Sequence, residues 1–185
     1  MFFENKDGYF GFGELSYKET ALNINIAFFM NNTLVSIITV VFNNRQFIES
    51  AIKSVLSQTY KDIEYIVIDG GSTDGTLEII NKYRDKIAKF VSEPDKGIYD
   101  GMNKGIKRAT GEIIGILNSD DLYVNSGVVE GIVKTVGNKK VDVCWGDLIY
   151  VDKNDTSKII RAWKSSEYKE GAFKNGWHPP HPAFF

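Results

Sequence analysis

Apolar residues fall along this chain in two alternating patterns. Four short apolar runs predict strands, and the first two are almost continuous in Val and Ile, which is typical of strands buried in a sheet. These runs cover residues 34–42, 63–70, 87–93 and 112–119. Segments in which apolar residues recur three or four positions apart predict helices, and they cover residues 43–58, 72–83, 95–109 and 125–137. A further strand is predicted over residues 141–151.

Strands that alternate with helices imply right-handed crossovers and a mostly parallel sheet flanked by helices. The α/β fold is predicted for residues 33–185. Ser72 or Thr73 is the expected N-cap of the second helix. Residues 1–32 are rich in Phe, Asn and Gly and keep no clean period, so we interpret them as an N-terminal extension or arm.

Composition excludes several classes of protein. The chain has 185 residues, 43% hydrophobic and 25% charged, which is ordinary for a globular domain. A net charge of -2 does not favour a nucleic-acid-binding protein. One cysteine, Cys144, excludes an internal disulfide and favours a reducing, cytoplasmic location. No apolar stretch reaches the roughly 18 residues that a membrane-spanning helix needs.

Acidic residues follow three of the four predicted strands. In parallel sheets, ligands bind outside the carboxyl ends of the strands. The residues that follow the four runs are 42–44, 69–71, 93–95 and 118–121. Carboxylates gathered at one edge suit Mg²⁺ or Mn²⁺, which one or two carboxylates and substrate phosphates usually hold. The alternative is that the NSDD segment, residues 118–121, only turns the chain and caps a helix.

Four motifs occur in an order that gives the chain a family resemblance: VVFNN, VIDGGSTDGT, EPDKGIYDGMNKGI and GEIIGILNSDDLY. Over residues 33–185 the chain resembles the family 2 glycosyltransferases of polysaccharide biosynthesis, which have the GT-A fold. The resemblance implies a Rossmann-like, mostly parallel sheet between helices, as a three-layer sandwich. It also implies a nucleoside-diphosphate-sugar donor, with UDP as the expected nucleotide.

The resemblance assigns donor-binding residues at each strand end. It implies that the first strand end contacts the nucleobase, through Thr39, Val40, Phe42 and Asn43. Asp69 matches the acidic residue that recognises the base edge, although Gly70 stands where relatives often carry a second Asp. Four residues of the third motif are expected to cover the donor: Lys96, Gly97, Asp100 and Asn103.

The metal site is expected at the SDD segment. By resemblance, Asp121 binds the metal that bridges the diphosphate, and Asp120 binds the ribose or supports the metal. Asn118 stands where many relatives carry a further Asp, so weak metal binding is expected without the donor. His181 is a further candidate metal ligand. The alternative is that this histidine only belongs to a loop whose backbone is fixed by prolines.

The implied reaction is an inverting transfer of the sugar to a saccharide or lipid-linked acceptor. The resemblance implies that the catalytic base lies beyond Phe185. Asp147 is the candidate within the chain, and the alternative for this residue is a role in a turn. The chain is expected to be a C-terminally truncated enzyme, to be cytoplasmic or membrane-peripheral, and to form a homodimer through exposed apolar surface. The alternative is a nucleotide-sugar-binding remnant without turnover.

Overall fold

The computed structural model describes residues 33–139 and 141–185 and shows an α/β architecture. Its strands are β1 (Val35–Val41), β2 (Ile63–Asp69), β3 (Lys89–Ser92), β4 (Ile113–Ile116), β5 (Leu148–Val151) and β6 (Ile159–Trp163). Its α-helices are α1 (Ile48–Leu56), α2 (Thr76–Asn81), α3 (Ile98–Ile106) and α4 (Val128–Lys139). The predicted extension over residues 1–32 lies outside the described residues.

The first four strands form one parallel sheet in the order β3-β2-β1-β4. All seven residues of β1 are buried, as the continuous apolar run predicts for a central strand covered on both faces. The mostly parallel sheet expected from the sequence is therefore confirmed.

Helices cover both faces of this sheet. On one face, Ile37 belongs to an apolar cluster with residues of α1, α2 and α4, among them Ile52, Ile80 and Val129. On the other face, Met102 of α3 packs with Ile38 of β1 and its neighbours. The three-layer sandwich is confirmed.

Helix α3 lies close against the sheet because two glycines face it. A Cβ atom at Gly101 would lie 2.5 Å from Cγ1 of Val40, and one at Gly105 would overlap the Ile38 side chain. Larger residues at these positions would push the helix away from β1. The two glycines thus determine the distance between α3 and the sheet. They thereby also position one wall of the site described below.

Two predictions at element boundaries were wrong. Helix α2 begins at Thr76, after Gly75 with φ 97°, and Asp74 rather than Ser72 or Thr73 accepts the Thr76 N–H at 3.0 Å. The Ser72 hydroxyl instead accepts a hydrogen bond from the chain that follows β1.

The predicted strand over residues 141–151 is the second error. Only β5 forms there, and it pairs antiparallel with β6 in a separate two-stranded sheet. The preceding backbone is occupied elsewhere: Cys144 exchanges two hydrogen bonds of 2.9 Å with Phe185, and the Gly146 N–H donates to the Ala183 carbonyl. Within the described part of the chain, no helix has the length and apolarity required to cross a membrane.

Candidate functional site

A cleft of about 660 Å³ opens at the carboxyl ends of β1, β3 and β4. We call it the strand-end cleft. Its lining residues come from the segments that follow these strands: Val40, Val41, Phe42, Asn43, Asn44, Phe47, Asp95, Gly97, Ile98, Asn118, Ser119 and Asp120. The cleft combines an apolar wall with two carboxylates and three amide side chains, and this composition suits a ligand that has both flat and polar parts.

The loop after β1 is fixed by hydrogen bonds to the other strand ends. Asn43 has φ 47°, a left-handed conformation that Asn tolerates better than most residues. Its N–H donates to Ser72 Oγ and its Oδ1 accepts from the Thr73 N–H, both at 2.8 Å. Asn44 Nδ2 donates to Ser119 Oγ at 2.8 Å. The floor of the cleft is therefore held in place before any ligand binds.

The two adjacent aspartates occupy different environments. Asp120 is exposed and lines the cleft, whereas Asp121 is 5% exposed. Asp121 Oδ2 accepts a hydrogen bond of 3.0 Å from Asn118 Nδ2. Because one carboxylate lies at the cleft and the other is buried, the two like charges repel each other less than they would side by side.

A divalent cation held at Asp120 would be shared with a substrate, because the described residues supply only part of its coordination. Within the described residues, the buried Oδ1 of Asn118 has no hydrogen-bond partner, and it belongs to a residue that lines the cleft. The same part of the chain contains no group of three or more His, Cys, Asp or Glu side chains able to hold a metal ion by themselves. Mg²⁺ and Mn²⁺ suit such a partial set of oxygens, because substrate phosphates and waters complete their coordination.

Five of the predicted donor-binding residues are brought together in the strand-end cleft: Val40, Phe42, Asn43, Gly97 and Asp120. They come from the ends of three strands, so topology alone accounts for their proximity.

Two predicted base-contacting residues are fully buried and do not line the cleft. Thr39 is 0% exposed, and its hydroxyl accepts a hydrogen bond of 3.1 Å from the Tyr65 hydroxyl. Asp69 is also 0% exposed, and its carboxylate accepts hydrogen bonds from the backbone of Gly71 and Ser72 and from the Ser92 hydroxyl. Asp69 therefore organises the turn after β2.

The three remaining donor candidates lie outside the lining. Lys96 and Asn103 are exposed. Asp100 Oδ2 accepts the Lys96 N–H at 3.1 Å and lies 3.4 Å from Lys104 Nζ. The hydrogen bond from Lys96 is the main reason why the pKa of Asp100 lies below its usual value. In this structure Asp100 holds the first turn of α3.

Several lining residues were assigned no individual role from the sequence, chiefly Asn44, Phe47, Asp95, Ile98 and Ser119. A signal for Asp95 existed, because it belongs to an acidic segment that follows β3. Phe47 and Ile98 carried no such signal, since an apolar residue at the start of a helix predicts core packing equally well.

The acceptor-side candidates lie in the region of β5 and β6. Asp147 Oδ1 accepts two hydrogen bonds from Ser165, at 2.8 Å from its N–H and 2.7 Å from its hydroxyl, so this carboxylate joins the two strands of the hairpin. His178 packs edge-on against Trp163 with ring centroids 5.4 Å apart. His181 begins the 3₁₀ turn His181–Ala183, and its role as a metal ligand stays a prediction.

Comparison with known sequences identifies the family. The profile of the family described as Glycosyl transferase family 2 matches residues 36–184. The chain belongs to this family. A glycosyltransferase of Rickettsia typhi is 42% identical over 130 residues, covering 69% of this chain and 41% of that protein. Glycosyltransferase GlyG of Streptococcus pneumoniae is 32% identical over 125 residues, covering 66% and 41%. This family 2 chain thus spans less than half the length of these curated relatives.

Solved structures agree with the family and with its GT-A fold. The mannosyltransferase PcManGT from Pyrobaculum calidifontis, in complex with GDP-Man and Mn²⁺, matches with a TM-score of 0.56 and 26% identity, over 60% of this chain and 34% of that one. S. aureus TarS in complex with UDP-GlcNAc matches with a TM-score of 0.55 and 28% identity, over 60% and 33%.

Proposed function

We propose that this family 2 chain binds a nucleoside-diphosphate sugar in the strand-end cleft and transfers the sugar to a saccharide or lipid-linked acceptor. One observation carries the proposal: exposed Asp120 lies at the same cleft as the apolar residues Val40 and Phe42. An apolar wall suits a flat base, and a carboxylate suits a diphosphate through a divalent cation that both of them bind.

The proposed reaction is a direct displacement that inverts the anomeric carbon. The acceptor oxygen forms a bond to that carbon while the bond to the diphosphate breaks, and the diphosphate leaves with the electron pair. A carboxylate base takes the acceptor proton, and Asp147 is the candidate that the described residues offer. Bound Mn²⁺ or Mg²⁺ would neutralise the charge that develops on the diphosphate. Asp120 is the residue best placed to hold it, with Asp121 and His181 as further candidates.

Two solved relatives support a nucleotide-sugar donor, and the proposed cellular role rests on the family resemblance. PcManGT was solved with GDP-Man and Mn²⁺, and TarS with UDP-GlcNAc, so a diphosphate donor and a divalent cation are supported for this chain as well. We favour a UDP-linked donor, a role in cell-surface polysaccharide biosynthesis, and a cytoplasmic or membrane-peripheral location where a lipid-linked acceptor is available.

The proposal is tested by calorimetric titration of UDP, GDP and ADP, with and without Mn²⁺. We expect one nucleotide to bind in a metal-dependent manner and to lose at least about tenfold in affinity in Asp120→Ala, since a charge contact to the metal or ligand is removed. Glu78→Ala serves as the control, because Glu78 is an exposed carboxylate on α2 that does not line the cleft. Binding that is equal with and without metal, and unaffected in Asp120→Ala, would contradict the metal site.

A second candidate function is nucleotide-sugar binding without turnover. It is favoured by the engagement of Asp147 with Ser165, which leaves that carboxylate committed to the hairpin. Incubation with radiolabelled UDP- or GDP-sugars and a saccharide acceptor separates the two functions. Labelled product supports the transferase, whereas binding without product supports the remnant.

A further inference from the structure

Asp95 is a cleft carboxylate to which the family resemblance assigned no role. It follows β3, is partly buried, and lines the strand-end cleft. Its Oδ1 accepts the Gly97 N–H at 2.9 Å, which fixes the orientation of the side chain. Among the residues that the structure describes, no donor bonds to Oδ2. One carboxylate oxygen is thus held by the protein while the other is available to a ligand.

Two glycines make room for this carboxylate. A Cβ atom at Gly70 would lie 2.6 Å from Asp95 Oδ2, and one at Gly101 would lie 3.2 Å from the same atom. A methyl group at position 70 would therefore displace the Asp95 side chain. The carboxylate therefore occupies the space above the end of β2 that a side chain at position 70 would fill.

The charge of Asp95 is not neutralised by the nearest lysine of α3. Lys104 Nζ is engaged by Glu93 at 3.2 Å, by Asp100 at 3.4 Å and by the Pro94 carbonyl at 3.0 Å. Glu93 and Asp100 are thus paired with this lysine, and Asp69 is 0% exposed and accepts its hydrogen bonds from the protein. Asp95 is therefore the carboxylate that a nucleobase can reach beside β2.

We propose that Asp95 selects the nucleobase by accepting a hydrogen bond from the ring N–H of the base, an inference that rests on the proposed function. A carboxylate is an acceptor only. Uracil and guanine carry a ring N–H, whereas cytosine and adenine present an unprotonated ring nitrogen, which a carboxylate repels. Sites built to bond a particular donor discriminate strongly against analogues that lack it, because the buried group of the site is then left unpaired.

The test is calorimetric titration of UDP, GDP, CDP and ADP in the presence of Mn²⁺. We expect the unmodified chain to bind UDP or GDP at least about tenfold more tightly than CDP and ADP. In Asp95→Asn the preference should fall about tenfold, because the amide offers a donor as well as an acceptor and so accommodates cytosine. Gly70→Ala, which displaces Asp95 without removing its charge, should weaken the preference in the same direction.

Asp120→Asn provides the comparison. It should lower the affinity for all four nucleotides by a similar factor and leave the preference among bases unchanged. A base preference that is unchanged in Asp95→Asn, although nucleotides still bind, would overturn the assignment while leaving the proposed function in place. A different result would be that Asp95→Asn weakens the binding of all four nucleotides equally and leaves the binding of their 2′-deoxy forms unchanged. That result would place the carboxylate at the ribose and would also overturn the assignment. Absence of binding by every nucleotide would overturn the proposed function itself.

Discussion

Asp69 and Asp120 both follow a strand, yet the protein uses them in opposite ways. The carboxylate of Asp69 is fully buried and accepts three hydrogen bonds or more from the turn after β2 and from β3. Asp120 is exposed at the cleft. Removal of a buried acceptor leaves its donors unsatisfied, whereas an exposed carboxylate loses only its contact with water. The two residues should therefore separate stability from binding.

We predict that Asp69→Asn lowers the free energy of unfolding by about 1–3 kcal/mol, because the new amide group faces backbone N–H donors. Asp120→Asn should change it by less than about 0.5 kcal/mol, as expected for an exposed position, while it weakens nucleotide binding. Urea denaturation followed by circular dichroism measures both. Equal stability of the two variants would show that the Asp69 hydrogen bonds do not hold the turn.

At the scale of the elements, a polar network joins β1, β2 and β3 to the segment that precedes β4, at the strand ends opposite the cleft. Glu64 of β2 accepts hydrogen bonds from Ser36 of β1 at 2.7 Å and from Thr110, just before β4. Lys89 of β3 lies 2.5 Å from Glu64 and also donates to the Arg108 carbonyl at 2.6 Å. Burial raises the pKa of Glu64, but these donors outweigh it and lower the pKa to about 2.

This network predicts a pH-dependent stability. The usual pKa of 4.5 applies in the unfolded chain, so the contribution of Glu64 is fully present above pH 4.5 and is lost as the pH falls from there towards 2. It is on the order of 3 kcal/mol, because one pKa unit corresponds to about 1.4 kcal/mol. Glu64→Gln should therefore be less stable than the unmodified chain at pH 7, and the difference should shrink in acid.

Urea midpoints measured from pH 7 down to pH 3 check this prediction. Glu78→Gln is the matched control, since Glu78 is an exposed glutamate on α2 and its replacement should have little effect at any pH. A Glu64→Gln destabilisation that stays constant with pH would mean that packing, rather than ionisation, accounts for the loss.

At the scale of the whole molecule, the segment 183–185 closes the core. Phe185 exchanges backbone hydrogen bonds with Cys144 and stacks on Tyr123 with ring centroids 6.3 Å apart. It also covers Gly115 of β4, where a Cβ atom would overlap its ring. Residues far apart in the sequence are thus packed together on β4, on the sheet face that carries α4.

We predict that Phe185→Ala lowers the free energy of unfolding by about 2 kcal/mol, below the usual cost for a fully buried phenylalanine because Phe185 is only partly buried. Hydrogen exchange at residues 144–146 should accelerate, since their backbone hydrogen bonds depend on this segment. Phe173→Ala is the control, because Phe173 is 60% exposed. Equal stability of the two variants would show that segment 183–185 does not contribute to the core.

The parallel sheet could be predicted because each strand carries its own signal. A continuous Val and Ile run such as β1 is specified by neighbouring residues, and the alternation with helices restricts the connections to parallel crossovers. The hairpin of β5 and β6 could not be predicted in this way. Residues 159–163 are mostly exposed and carry no buried-strand pattern, and residues 144–146 pair with a segment about forty residues away.

The sequence by itself determined that acidic and amide side chains meet at the carboxyl ends of the parallel strands, because strand order and direction follow from local periodicity. Only the tertiary structure decided which of these groups face a ligand. Asp69 and Asp121 point into the protein, whereas Asp95 and Asp120 line the cleft. The direction of a loop side chain depends on hydrogen bonds between distant segments, such as the 2.7 Å bond from Ser92 to Asp69, and no local pattern records them.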